Sequence, residues 1–191
     1  MFCGSKHLLM ETNKTFKLEA SKEFTVPAKQ LYEAWTEPEQ LKQWWKPIGN
    51  QLAEVDNNIR KGGRVAYQFA EDTLRISGEY LEVNEGKNLV YTWNWEFPQD
   101  VVKNGAFKLN VRFEDKGNGS QLYVTQENFK DEEALQPHKE GWDKALNDLK
   151  NYLEGKKVDQ NRTSLNMNAT VRNDGSTGYM EAPDQQKVAG G

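Results

Sequence analysis

The chain has 191 residues, a net charge of −4, and 11% aromatic residues within a hydrophobic total of only 36%. That length suits one domain with solvated ends, and the acidic balance excludes nucleic acid as an expected partner, because nothing draws the chain to phosphate backbones. One cysteine, Cys3, excludes an internal disulfide, and no apolar run approaches the roughly 20 residues of a membrane span, so a cytoplasmic protein without membrane insertion is expected.

In chain order, residues 1–15 read as a flexible N-terminal extension. The segment FKLEASKEFTV then alternates Phe16, Leu18, Ala20, Phe24 and Val26 on one face, with Lys22 the exception, and predicts a strand. Lys22 either snorkels outward or offers a cation inward. Pro27 opens a short helix, since its fixed φ and missing N–H suit a first turn. Leu31, Ala34 and Trp35 share one side of it. Glu37-Pro38 ends that helix and starts another, with Leu41, Trp44 and Trp45 at helical spacing, until Pro47 pushes Lys46 out of the helical region.

Beyond this point the period becomes two. RKGGR, Arg60 to Arg64, reads as a hairpin turn rather than a phosphate cradle, because it joins strands and opens no helix. It leads into Val65, Tyr67 and Phe69. TLRISGEYLEV is a further strand in which Gly78 marks a bulge or a close backbone approach. LVYTWNWEF places Leu89, Tyr91, Trp93, Trp95 and Phe97 on one face, and FKLNVRF and QLYVTQENF repeat the alternation. Short turns between these strands predict an antiparallel meander with one covered face. Asp131, Glu132 and Glu133 favour the start of the one long helix, PHKEGWDKALNDLKNYLEG. Trp142, Ala145, Leu146, Leu149, Tyr152 and Leu153 form its apolar stripe, and Gly155 is placed to stop it. From residue 156 the chain is polar and aperiodic and is expected to be a disordered tail of residues 156–191. The folded unit is therefore residues 16–155.

The expected fold is α+β: a curved antiparallel sheet wrapped around a long C-terminal helix, with two short helices after the first strand. One helix covers only part of so wide an aromatic face. The rest must meet a ligand, another subunit or the helix pair. Trp44 and Trp45, about 100° apart on a helix, either both pack the short helices onto the sheet edge with Leu41, or one faces the core and the other its rim as a cavity-mouth residue or partner anchor. His138, four residues before Trp142, belongs on or beside the apolar stripe. With no second histidine or cysteine nearby, no metal site is expected and no cofactor is implied. No nucleophile elbow or metal-helix motif occurs; Glu79 and Glu127 are the carboxylates that strand position offers, and both are expected to be solvated.

FTVPAKQLYEAWTEPEQLKQWWKP, GEYLEVNEGKNLVYTW and HKEGWDKALNDLKNYLEG resemble, in this order, segments of the START-like (SRPBCC) superfamily, in the branch related to activators of the heat-shock protein 90 ATPase. The resemblance implies a helix-grip fold with a cavity between sheet and long helix, commonly holding an apolar ligand. It implies that Gly141 lets helix and sheet approach and that Trp142 plugs the cavity end. It also brings a stress-response setting. The eukaryotic co-chaperones carry a large N-terminal chaperone-binding domain where this chain has about fifteen residues, so direct ATPase activation is not expected.

Three functions are open at this point. The leading one is binding of a small apolar or aromatic molecule by Trp44, Tyr67, Phe69, Trp93, Trp95, His138 and Trp142, with no catalytic residue assigned. The alternatives are a chaperone-associated interaction module, which needs the paired tryptophans exposed, and a cofactor-independent enzyme of the polyketide cyclase-like kind.

Overall fold

A computed structural model of the chain describes the backbone of residues 16–47, 49–97 and 102–155, and their side chains except for 102–106. The flanking segments 1–15 and 156–191, with Cys3 and His7, lie outside the described residues.

The elements run β1 (Phe16–Phe24), α1 (Ala28–Thr36), α2 (Pro38–Trp44), β2 (Leu52–Asn57), β3 (Arg64–Phe69), β4 (Arg75–Asn84), β5 (Asn88–Phe97), β6 (Val102–Lys116), β7 (Gly119–Phe129) and α3 (Leu135–Leu153). The described strands form a seven-stranded antiparallel sheet ordered β1-β7-β6-β5-β4-β3-β2. Strands β2 to β7 follow one another as a meander. β1 pairs with β7 at the far edge, so the two short helices bridge from one end of the sheet to the other. This is the helix-grip arrangement.

Local chemistry accounts for the boundaries. Pro27 is extended, at φ −62° and ψ 153°, and its carbonyl accepts from Gln30 and Leu31 in the first turn of α1. Glu37 closes α1 and opens α2, with Pro38 at the first helical position. The RKGGR hairpin needs both its glycines. Gly62 has φ +75°, and a Cβ on Gly63 would stand 1.9 Å from the Asn58 carbonyl oxygen. At the end of α3, Gly155 takes φ +73°, the left-handed stop expected of a glycine just past a helix. The Asp131 carboxylate accepts the Ala134 N–H at 2.9 Å, so the acidic run works as a turn brace before α3.

Two elements differ from the sequence reading. β2 carries no period-two signal because a bulge between Leu52 and Glu54 shifts its register, leaving Leu52 buried and Val55 half-buried on opposite sides of the fault. β6 extends well beyond FKLNVRF, from Val102 to Lys116, because its pairing with β5 continues through Phe97↔Val102.

α3 lies along β1, where Lys22 Nζ bonds Asn147 Oδ1 at 2.6 Å. Lys22 therefore ties the strand to the helix and does not point a free cation into the core. α1 and α2 close the remaining part of the face.

Candidate functional site

The covered face of the sheet is an aromatic layer. On β5, Tyr91, Trp93 and Trp95 point inward at alternate positions, and Tyr67 from β3 meets Trp93 edge-on at 5.7 Å. The helices complete the layer. Trp45 stands edge-on to Trp93 at 6.0 Å and tilted against Trp142 of α3 at 5.3 Å. Trp35 stacks on Trp142 at 6.0 Å and touches Trp44 and Trp45. All six tryptophans thus belong to one connected set of rings.

The structure buries every one of the seven residues named from sequence, none exposing more than 5% of its surface. It does not use them alike. Trp93 meets Trp95, which meets His138 of α3 at 5.9 Å, and Trp142 joins them through Trp45. Tyr67 flanks them. Trp44 is a wedge between α1 and α2, its indole N–H already donated to the Ala34 carbonyl at 2.9 Å. Its neighbour Trp45 is the residue that faces Trp93. Phe69 lies further along β3, opposite Leu52, and among the described residues no ring contact ties it to the tryptophans. Trp44 and Trp45 are both buried, not one at the core and one at a rim.

Three indoles are satisfied and three are not. Trp35 donates to the Tyr91 hydroxyl at 3.1 Å, Trp44 to Ala34, and Trp142 to Gln126 Oε1 at 2.8 Å. The Nε1 atoms of Trp45, Trp93 and Trp95 are buried with no hydrogen-bond partner. Buried tryptophan N–H groups ordinarily find an acceptor, and each one left without costs about 1–3 kcal/mol.

Gln126 is the site residue that sequence reasoning missed. It is fully buried on β7, between Trp142 and His138, and its amide is oriented by its partners. Indole N–H only donates, so the atom facing Trp142 is the amide oxygen. The amide nitrogen then faces His138 Nδ1 at 3.2 Å, and Nδ1 must accept. The imidazole proton sits on Nε2. A signal existed: Gln126 continues the inward set Leu122 and Val124 at period two.

His138 packs among Trp95, Phe107 and Phe129, with ring centroids at 5.9, 5.0 and 5.0 Å. Burial without a counter-charge pushes its pKa down to about 4. The neutral form is the one the fold holds, and the unfolded chain takes up the proton first as pH falls. Stability is therefore full above about pH 6.5 and declines as pH drops towards 4, by about 2–3 kcal/mol at pH 4.5. Urea melts at pH 7 and 4.5 should show this loss in the native protein and a clearly smaller one in His138→Leu. Equal slopes in the two proteins would remove the assignment.

Burial also raises the phenols of Tyr67, Tyr80 and Tyr91, so all three stay protonated. Asn57 Oδ1 accepts from Tyr80 at 2.8 Å and Tyr67 at 3.4 Å, while Asn57 Nδ2 donates to the Thr36 carbonyl at 3.1 Å. On the helix side, buried Lys144 bonds Asp148 at 2.6 Å and the Lys46 carbonyl at 3.0 Å, which fixes the segment carrying Trp45 against α3. The carboxylates considered from sequence are elsewhere. Glu79 is exposed and Glu127 pairs with Lys108 at 3.1 Å outside the layer. The layer itself holds neutral hydrogen-bonding groups on an apolar body.

The family model described as "Activator of Hsp90 ATPase homolog 1-like protein" matches residues 25–154, and the chain belongs to that family, a branch of the START-like group. Among solved structures, it is similar to the protein Ms6760 from Mycobacterium smegmatis, with TM-score 0.59 and 20% identity over 73% of this chain and 88% of that one. It is similar to a protein from Rhizobium leguminosarum, with TM-score 0.61 and 19% identity over 75% of this chain and 97% of that one. DynU16, a protein of the dynemicin biosynthetic locus, has TM-score 0.60 and 18% identity over 74% of this chain and 49% of that one. At these identities the likeness shows the fold. No curated protein matches the chain.

Proposed function

We infer that the protein binds a small, largely apolar aromatic molecule between the sheet and α3. The observation that carries this reading is the set of three buried indole N–H groups, on Trp45, Trp93 and Trp95, that lack an acceptor. A layer built only to pack would be better served by phenylalanine, which fills much of the same space without an open donor. A guest with an acceptor atom removes the penalty that these donors carry.

The described form is closed, so a guest enters only when the layer parts. Trp45 sits on the connection after α2 and not within a strand, so its outward swing opens the gap between Trp93 and Trp142 with the sheet intact. Binding then selects the open form, at an apparent affinity reduced by the fraction of molecules that are open. The test is tryptophan fluorescence titration, with ligand-observed NMR, against a panel of lipids and neutral polyphenols. At least one member should give saturable 1:1 binding that Trp93→Ala weakens tenfold or more. A panel without a single saturable member would defeat the reading.

Family membership supports a second reading, a module acting on heat-shock protein 90. It ranks lower because Trp44 and Trp45 are buried and Leu81 is the one large hydrophobic side chain exposed among the described residues. The chaperone's ATPase rate, with and without this protein, separates the two: stimulation independent of any small molecule would favour the second.

A further inference from the structure

Resting on the ligand-binding reading, we propose that the site selects an aromatic guest presenting hydrogen-bond acceptors, above all a carbonyl oxygen, and turns away guests presenting donors or positive charge. The polarity of the layer is one-sided. Trp45, Trp93 and Trp95 each hold an N–H with no acceptor, and all three lie along one connected run of rings, with 6.0 Å between Trp45 and Trp93 and 6.2 Å between Trp93 and Trp95. His138 stands edge-on to Trp95 at 5.9 Å. Its Nδ1 is occupied by Gln126, so the proton sits on Nε2.

The acceptors of the same layer are already engaged. Gln126 Oε1 takes the Trp142 N–H, Asn57 Oδ1 takes two phenol hydroxyls, and the Tyr91 oxygen takes the Trp35 N–H. A guest donor entering here would lose its water and meet only the second lone pairs of oxygens already engaged, whereas a guest oxygen would meet unpartnered indole N–H groups fixed by ring packing.

Positive charge is excluded on similar grounds. His138 is neutral and the phenols are protonated. Lys144 and Asp148 neutralise each other at 2.6 Å, and the other buried ion among the described residues, Lys46 beside Trp45, is a cation. An ammonium on the guest would be desolvated with nothing to compensate it. Selectivity of this kind exceeds what shape alone achieves, because a site built to hydrogen-bond one atom is left unsatisfied by the analogue that lacks it.

The decisive comparison uses three tricycles of nearly the same shape that differ at one position: 9-fluorenone with C=O, fluorene with CH₂ and carbazole with N–H. Equilibrium dialysis of the full chain at pH 7.5 should give fluorenone a Kd at least tenfold below that of fluorene, with carbazole no tighter than fluorene. In the ¹⁵N-labelled protein, fluorenone should move indole Nε1–H resonances downfield and fluorene should not. Trp93→Phe should reduce the ratio of the fluorene Kd to the fluorenone Kd at least threefold, whatever it does to either Kd alone. Where that variant fails to fold, the indole shifts of the native protein decide alone. Equal affinities for fluorenone and fluorene would overturn the selectivity and leave the ligand-binding reading standing. Binding of none of the three, alongside a silent lipid and polyphenol panel, would overturn both.

Discussion

Gly78→Ala should yield no folded protein, or one destabilised by more than about 3 kcal/mol, well beyond an ordinary overpacking penalty. A Cβ built on Gly78 would stand 1.9 Å from the Thr92 carbonyl oxygen and 2.8 Å from its carbon. Both are backbone atoms of β5, so no rotamer change relieves the collision. The strands would have to separate where Ser77↔Asn94 and Tyr80↔Tyr91 set the register that brings Tyr80 onto Tyr91. The Glu79 N–H would be drawn from the Thr92 hydroxyl, which it now meets at 2.9 Å. Gly86→Ala is the contrasting control. Its position has φ +72° and open space around it, so only the left-handed backbone is penalised, at about 1–2 kcal/mol. Soluble yield, near-ultraviolet circular dichroism and urea midpoints compare the two. A Gly78→Ala protein melting within a few degrees of the native one would mean that the β4–β5 approach is looser than described.

Gly78 was legible as a bulge or close approach because a glycine interrupting a strand alternation needs a reason, and the collision with Thr92 is that reason. The same holds for most of the architecture. Period two in LVYTWNWEF and period 3.6 in the last helix leave little freedom once Pro27, Pro38 and Pro47 punctuate the segment between. What the pattern hides is polarity inside. Gln126, Lys144 and Asp148 are buried; the alternation of β7 places Gln126 inward, yet nothing local says that its amide will be clasped by Trp142 and His138 or that an ion pair will close on itself one helical turn apart. β2 is hidden for another cause. Its bulge breaks the alternation on which strands are recognised. The choice between Trp44 and Trp45 was likewise beyond helical spacing, because Trp45 caps α2 with φ −77° and ψ 95° and so leaves the helical wheel. Residues whose roles depend on a partner distant in sequence are the ones a periodic reading misplaces.

Asn57→Leu should cost about 3–4 kcal/mol, a large share of a single domain's stability. The side chain removed is the common acceptor for the Tyr80 hydroxyl at 2.8 Å and the Tyr67 hydroxyl at 3.4 Å, and the donor to the Thr36 carbonyl at 3.1 Å. Leucine supplies none of these functions, so polar groups in the interior lose their partners together. Adding Tyr67→Phe and Tyr80→Phe to the variant removes the stranded hydroxyls and should recover at least half of the loss, although each change deletes further atoms from the protein. If the triple variant is instead less stable than Asn57→Leu alone, packing and not hydrogen bonding is what Asn57 contributes. The clamp bears on binding as well. Tyr67 rests edge-on against Trp93, and Tyr80 against Tyr91, whose oxygen holds Trp35. Loosening Asn57 therefore loosens the ring that fixes the direction of the Trp93 N–H. A donor free to turn satisfies an acceptor with less gain than a fixed one, so in a folded Asn57→Leu protein the preference for fluorenone over fluorene should fall even though no atom of Trp93 has changed.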